Sequence, residues 1–206
     1  MTWEQIQKAA LDKIFSRLNY GTEVSLSSPD VADYVRAMPH AAWFAMVDLA
    51  EVMPIYKSVE TELPDDDATG YRLYHIKELA PDFMRFCPDR LTIMGNNNTF
   101  MRVNDYQFDG LDTLFVPADY VGTLVIWYEA YPENIDEDTP GDTTFSLPEE
   151  AQRAIPLYIA AEVFKEDDIS MATQYLNEYE NVKSMLASRR QQTASGGAWR
   201  SVTGWV

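Results

Sequence analysis

The chain has 206 residues, of which 46% are hydrophobic and 13% aromatic, and a formal net charge of -17 at pH 7. That length suits one core, or a core with a satellite subdomain, and the spread of aromatics predicts that most of the chain folds. The charge argues against wrapping nucleic acid by phosphate neutralisation. It suits a surface that repels DNA or docks on a basic partner, and the plainer alternative is that it only confers solubility. A single cysteine, Cys87, leaves no internal disulfide framework. The opening Met1-Thr2-Trp3-Glu4 lacks the regions of a signal peptide. The longest apolar run, 41–47, is far too short to span a bilayer. An intracellular product without a membrane partner is expected.

Thr2 and Gln5 are spaced as a capping box. Trp3, Ile6, Ala10, Ile14 and Leu18 then recur at helical spacing, widened by Leu11 and Phe15, and Gly21 is expected to end the helix. Ser28-Pro29-Asp30 marks a second start, with Ser28 as cap, Pro29 in the first helical position and Asp30 at the positive end of the dipole. Val31, Tyr34, Val35 and Met38 share a face. Pro39 is expected to break or kink this helix, and another runs from about 40 to 52, stopped by Pro54.

Residues 63–70 read as a loop. Beyond it the pattern changes. Residues 71–76 are strand-like, and 91–94 with 99–103 predict a hairpin around Gly95. Residues 106–108 and 111–116 predict a second hairpin, with Asp109-Gly110 at a tight turn. The clearest strand is 122–131, with Thr123, Val125 and Trp127 on one face and Leu124, Ile126 and Tyr128 on the other. An acidic loop covers 132–145.

Helices return at Leu147-Pro148-Glu149-Glu150, with a stripe of Ile155, Tyr158, Ile159 and Val163 and a kink expected at Pro156. Asp167 or Asp168 is expected to cap a last helix that buries Ile169, Thr173, Leu176, Tyr179, Val182, Met185 and Leu186. Arg189 and Arg190 suit its negative C-terminal end. Residues 191–197 should be flexible. The expected fold class is α+β: N-terminal helices in 1–60, an antiparallel β subdomain at 71–131, C-terminal helices in 146–190 and a flexible C-terminal arm at 191–206.

No phosphate loop, dinucleotide fingerprint or nucleophile elbow is present in the sequence. His40, His75 and Cys87 have settings that favour structural roles. Asp65-Asp66-Asp67 and Asp136-Glu137-Asp138 are the carboxylate clusters. The second lacks the order of a calcium-binding EF-hand loop, and consecutive acids in Pro-rich loops are usually solvated surface. No catalytic residue, metal or cofactor is therefore assigned. A rival of another class is a carboxylate-dependent hydrolase using Asp66 and Asp136 in a cleft.

Charge is unevenly placed. There is no lysine or arginine from Asp105 through Glu150, and no acid after Glu180, where Lys183, Arg189, Arg190 and Arg200 stand. Trp199 and Trp205 follow Gly196-Gly197, and tryptophan is a frequent interface anchor. Arg189, Arg190, Trp199, Arg200 and Trp205 are the candidate partner-binding residues. The alternative is that the tail folds back on its own domain.

The order of parts resembles the head-to-tail adaptor (connector) proteins of tailed phages. The residues that carry the resemblance are 147–164, LPEEAQRAIPLYIAAEVF, followed by Glu166-Asp167-Asp168 and 172–180. The resemblance implies that the helices of 1–60 and 146–190 form one α bundle, with 71–131 as the family's β insertion. It implies a ring, typically of twelve subunits, between the portal protein and a tail or stopper protein, assembled in the host cytoplasm and placed at the virion's head–tail junction. DNA would pass through its lumen without specific binding, and residues 189–206 would form an arm reaching the portal or a neighbouring subunit. No catalysis and no cofactor are implied. Another neck, tail-completion or baseplate protein is the nearest alternative.

Overall fold

The computed structural model describes residues 1–15, 25–65, 69–95 and 99–195, with the backbone alone for 191–195. The helices in chain order are α1 (Trp3–Phe15), α2 (Ala32–Val52), α3 (Ile76–Leu79), α4 (Glu149–Gln152), α5 (Ile155–Val163) and α6 (Ile169–Ser195). The strands are β1 (Ile55–Leu63), β2 (Tyr71–His75), β3 (Phe83–Phe86), β4 (Thr92–Met94), β5 (Phe100–Arg102), β6 (Gln107–Phe108), β7 (Thr113–Pro117) and β8 (Gly122–Ala130). With helices and antiparallel sheets both present, the fold is α+β. The chain divides into two compact units, Met1–Pro54 with Pro132–Val206, and Ile55–Tyr131.

In the helical unit, α1 starts as its sequence dictates. The Thr2 backbone N–H donates to Gln5 Oε1 at 3.0 Å and the Gln5 N–H to Thr2 Oγ1 at 3.4 Å, a reciprocal capping box. The next free helical N–H groups, of Trp3 and Glu4, donate to the carbonyls of Thr143 and Gly141 in the acidic loop. That loop therefore closes the start of α1. Trp3, Ile6, Ala10, Leu11 and Ile14 are buried, the stripe that periodicity predicts.

Four helical expectations are corrected. Ser28 makes no side-chain cap; Pro29–Val31 is a 3-10 turn that leads into α2. Pro39 does not end a helix, because α2 continues through it to Val52. Proline lacks the N–H that would bond the carbonyl four residues back. Burial of Met38, Ala41, Ala42, Ala45, Met46, Leu49 and Ala50 along the same helix offsets that loss. Pro156 does not kink a long helix but stands in the first turn of α5, after a break at Arg153–Ala154. The stripe of α6 is displaced from the expected one: Ala172, Tyr175, Tyr179 and Leu186 are buried, while Ile169 and Met185 are 74% and 59% exposed. Its start is capped by Asp168, whose Oδ1 accepts the N–H groups of Ser170 and Met171 at 2.9 and 3.1 Å.

The short α5 packs against α1, α2 and α6. Ile155, Pro156, Leu157, Ile159, Ala160 and Ala161 are all buried, as expected of a helix that is apolar on most sides. Beside it, Gln152 is 5% exposed, and its Nε2 donates to the carbonyls of Phe145 and Leu147 at 3.2 and 2.6 Å. This amide fixes the loop that precedes α4.

The second unit holds two antiparallel sheets. In one, β8 is central: β1 pairs along its whole length, from Ile55 opposite Ala130 to Leu63 opposite Gly122. Its other edge is shared by β4 and β3, and β5 extends β4. The other sheet has the order β2-β7-β6. Leu124, Val125, Ile126, Tyr128, Glu129 and Ala130 are all buried, so β8 is covered on both faces.

Residues 55–60, expected among the N-terminal helices, belong instead to β1, and the β unit begins at Ile55 rather than at 71. Both predicted hairpins pair, β4 with β5 and β6 with β7. The second does not use a two-residue turn. Asp109 Oδ1 accepts the N–H groups of Leu111, Asp112 and Thr113, so an Asx-type loop of four residues connects the strands.

Candidate functional site

The last turns of α6 hold two of the predicted partner-binding residues. Arg189 Nη1 lies 3.2 Å from Glu150 Oε2, in α4, with both side chains more than half exposed. Arg190 Nη1 donates to the Glu51 carbonyl at 3.1 Å. That carbonyl is among the last of α2, which no helical N–H reaches, so Arg190 also meets the negative end of that dipole. The Tyr175 hydroxyl donates to the Lys13 carbonyl of α1 at 2.5 Å. Helix α6 thus ties together α1, α2 and α4.

Between these ties lies a polar pin. Tyr179, fully buried, donates to Asp48 Oδ2 at 2.6 Å, and Lys183 Nζ approaches Asp48 Oδ1 at 2.5 Å. Burial first, and then the Asp48 carboxylate, push the Tyr179 phenol far above its usual pKa. Tyr158 of α5 meets the Tyr179 ring edge-on with centroids 5.1 Å apart.

Helix α6 does not become a flexible arm at residue 191. It stays helical through Ser195. Gln191, Gln192 and Ala194 favour helix, and the first strong breaker is Gly196-Gly197. Trp199, Arg200 and Trp205 lie outside the described residues. Of the five predicted partner-binding residues, Arg189 and Arg190 are therefore seen to meet on one helix end.

The β unit holds a second charged cluster. Lys57 Nζ is 2.7 Å from Asp82 Oδ2, and Tyr128 donates to Asp82 Oδ1 at 2.9 Å. Burial raises the Asp82 pKa, but the bonds from Lys57 and Tyr128 outweigh it and hold the carboxyl below its usual range. Burial first, then Asp82, push the Tyr128 phenol up to about 12. A carboxyl with a depressed folded-state pKa stabilises the fold above its unfolded pKa and loses that contribution as pH falls through the folded value. Asp82→Asn should therefore lower stability in urea unfolding at pH 7. The gap from the parent should narrow as pH falls below the ordinary carboxyl range, as the folded-state carboxyl protonates; a gap unchanged throughout that fall would contradict this assignment.

Of the acids singled out in the sequence, Asp136 serves its own loop. Asp136 Oδ1 accepts the Asp138 N–H at 3.1 Å and the Thr139 hydroxyl at 2.9 Å. Glu133 accepts the Ser146 N–H at 3.1 Å. Asp66 and Asp67 lie outside the described residues. Among the described residues no group of three or more His, Cys, Asp and Glu is arranged to hold a metal ion. No described helix is long and apolar enough to cross a membrane. His75 Nδ1 lies 3.4 Å from Thr113 Oγ1, and Cys87 is half-buried.

One surface feature escaped sequence reasoning. A hollow of about 390 Å3 between α2 and α5 is lined by Ala37, His40, Ala41, Phe44, Tyr158, Glu162 and Val163. His40 meets Phe44 edge-on, at 4.7 Å between centroids, and Trp43 meets Phe44 at 5.3 Å. The only sequence signal was the excess of apolar residues in α2 beyond the one stripe that burial requires. No family model matches the chain, and comparison with curated proteins finds no match.

Proposed function

We propose that this chain is a head-to-tail adaptor of a tailed phage, forming a ring between the portal protein and the tail or stopper protein. The supporting observation is the order and packing of its parts. Helices from the two parts of the sequence, α1 and α2 with α5 and α6, contact one another within one compact unit, and an antiparallel β unit is inserted between them in the sequence. That is the layout the adaptor resemblance implies. A second support is charge. The stretch without a cation, from Asp105 through Glu150, includes the loop that closes the start of α1. Such a surface facing a lumen lets DNA pass without adhering.

In this reading the protein acts by assembly rather than catalysis, with no cofactor. Arg189, Arg190, Trp199, Arg200 and Trp205 supply contacts to the portal or a neighbouring subunit. The tryptophans are apolar anchors and the arginines complementary charge. Arg189 keeps a largely exposed guanidinium for that purpose while it braces α4.

Co-sedimentation of the full chain and a 1–195 truncation with the portal of the same phage tests this. The full chain is expected to bind, and the truncation to bind at least ten-fold more weakly. Equal binding would remove the C-terminal segment from the contact. Binding by neither would displace the adaptor reading in favour of another neck, tail-completion or baseplate role.

A further inference from the structure

We infer that the outer edge of β2 docks an extended, cationic segment of another protein, which adds as an antiparallel strand to the sheet β2-β7-β6. The inference stands on the β unit alone and does not rest on the adaptor reading.

Strand β2 ends the order of its sheet, so among the described residues only one of its edges is paired. Which backbone groups face the other edge follows from the register. The Ala118 N–H donates to the Gly70 carbonyl at 2.9 Å, and the Ile76 N–H to the Asp112 carbonyl at 2.8 Å. Both pairs continue the register that sets Tyr71 opposite Pro117 and His75 opposite Thr113. In an antiparallel ladder, bonded and unbonded pairs alternate. Arg72 and Tyr74 therefore bond β7, and the N–H and carbonyl groups of Tyr71 and Leu73 point outward. Both of these residues are 50% exposed. Residues directly opposite share a face. Tyr71 and Leu73 thus form one apolar block with Pro117 and Phe115, while Leu114 and Val116 are buried on the other face. Natural edge strands are commonly blunted by lysine, proline or a bulge. Strand β2 has none of these. Its arginine, Arg72, belongs to the other face and donates to the Pro64 and Tyr120 carbonyls at 2.9 and 3.0 Å. An edge of this kind is a template for an added strand, whose alternate side chains would widen the apolar block.

Charge selects the occupant. Asp105, Asp109, Asp112 and Asp119 stand within two residues of β6 and β7, against Arg72 in β2 and Lys77 just after it. A second copy would bring the same acids and a net charge of -17 to the contact, which like-charge repulsion opposes. A strand of another protein with apolar residues on one face and cations on the other gains from both features of this edge. In an antiparallel addition the residue opposite Leu73 exchanges backbone bonds with it and shares its face. The apolar residues of the added strand are then the ones whose amides bond β2. Its cationic residues turn their amides to solvent.

The test uses the full chain and a fluorescein-labelled peptide of alternating lysine and valine, KVKVKVKVK. Saturable binding is expected, weakened at least ten-fold by Leu73→Lys, a substitution at an exposed position whose folding is checked by circular dichroism. N-methylation of the valine amides should also weaken binding at least ten-fold. N-methylation of the lysine amides should leave it nearly unchanged. No saturable binding, binding indifferent to Leu73→Lys, or equal or reversed effects of the two methylations overturns the assignment. Two further results give the edge to another occupant and overturn it as well. Self-association of the parent chain that Leu73→Lys abolishes assigns the edge to a second copy. Peptide binding that appears only in a chain bearing Trp199→Ala and Trp205→Ala assigns it to the chain's own C-terminal segment.

Discussion

Replacing Gly122 with alanine is expected to lower stability by about 3 kcal/mol or more. Gly122 opens β8 opposite Leu63 of β1, with φ at 125°, a region that L side chains rarely adopt. An added Cβ would lie 2.8 Å from the Met94 carbonyl oxygen of β4 and 3.1 Å from Ile93 Cγ2. The obstacle is backbone within a paired sheet and does not swing aside. Gly70 separates the two effects. Its φ is 90°, but no atom of the described residues lies within 4 Å of the Cβ position, so Gly70→Ala should cost only the conformational term, about 1–2 kcal/mol. Urea unfolding of both variants checks this. Equal losses would mean that the approach to Met94 carries no energy.

Tyr179→Ala is expected to cost about 3–5 kcal/mol, the range for deleting a large buried aromatic. The fully buried ring fills the space between α2, α5 and α6, and its hydroxyl holds Asp48 beside Lys183. Tyr179→Phe keeps the ring and removes the hydroxyl, so about 1–2 kcal/mol is expected. Asp48 keeps Lys183 in that variant, which limits the loss. Thermal unfolding of the two variants separates packing from the polar bond. If phenylalanine costs as much as alanine, the hydroxyl rather than the ring holds α6 in place.

Some of this was legible in the sequence. The Thr2–Gln5 box and the α1 stripe appear as local chemistry, and Asp168 was one of two caps expected for α6. The alternating residues of β8 announce a strand, although Val125 and Glu129 are also buried, which alternation alone does not reveal. Strand β1 was not legible as a strand. Its inward positions are Ile55, Lys57, Val59, Thr61 and Leu63, and a lysine in that row breaks the apolar alternation. The charge is tolerated because Asp82, distant in sequence, reaches it. Pro39 misled because a local rule yielded to burial along the helix. The stripe of α6 was misplaced because Ile169 and Met185 look like core residues and are exposed. Of the candidate site, the arginine pair and its place near a helix end could be read from the sequence. Its ties to Glu51 and Glu150 depend on packing, as does the hollow between α2 and α5.

The most direct measurement of the central claim is electron microscopy of the portal mixed with the full chain. The adaptor role predicts a second ring coaxial with the portal, of matching rotational symmetry, with the β unit and the helical unit repeated in every subunit. Portal particles without added density at equimolar or excess chain, or density placed off the channel axis, would contradict it.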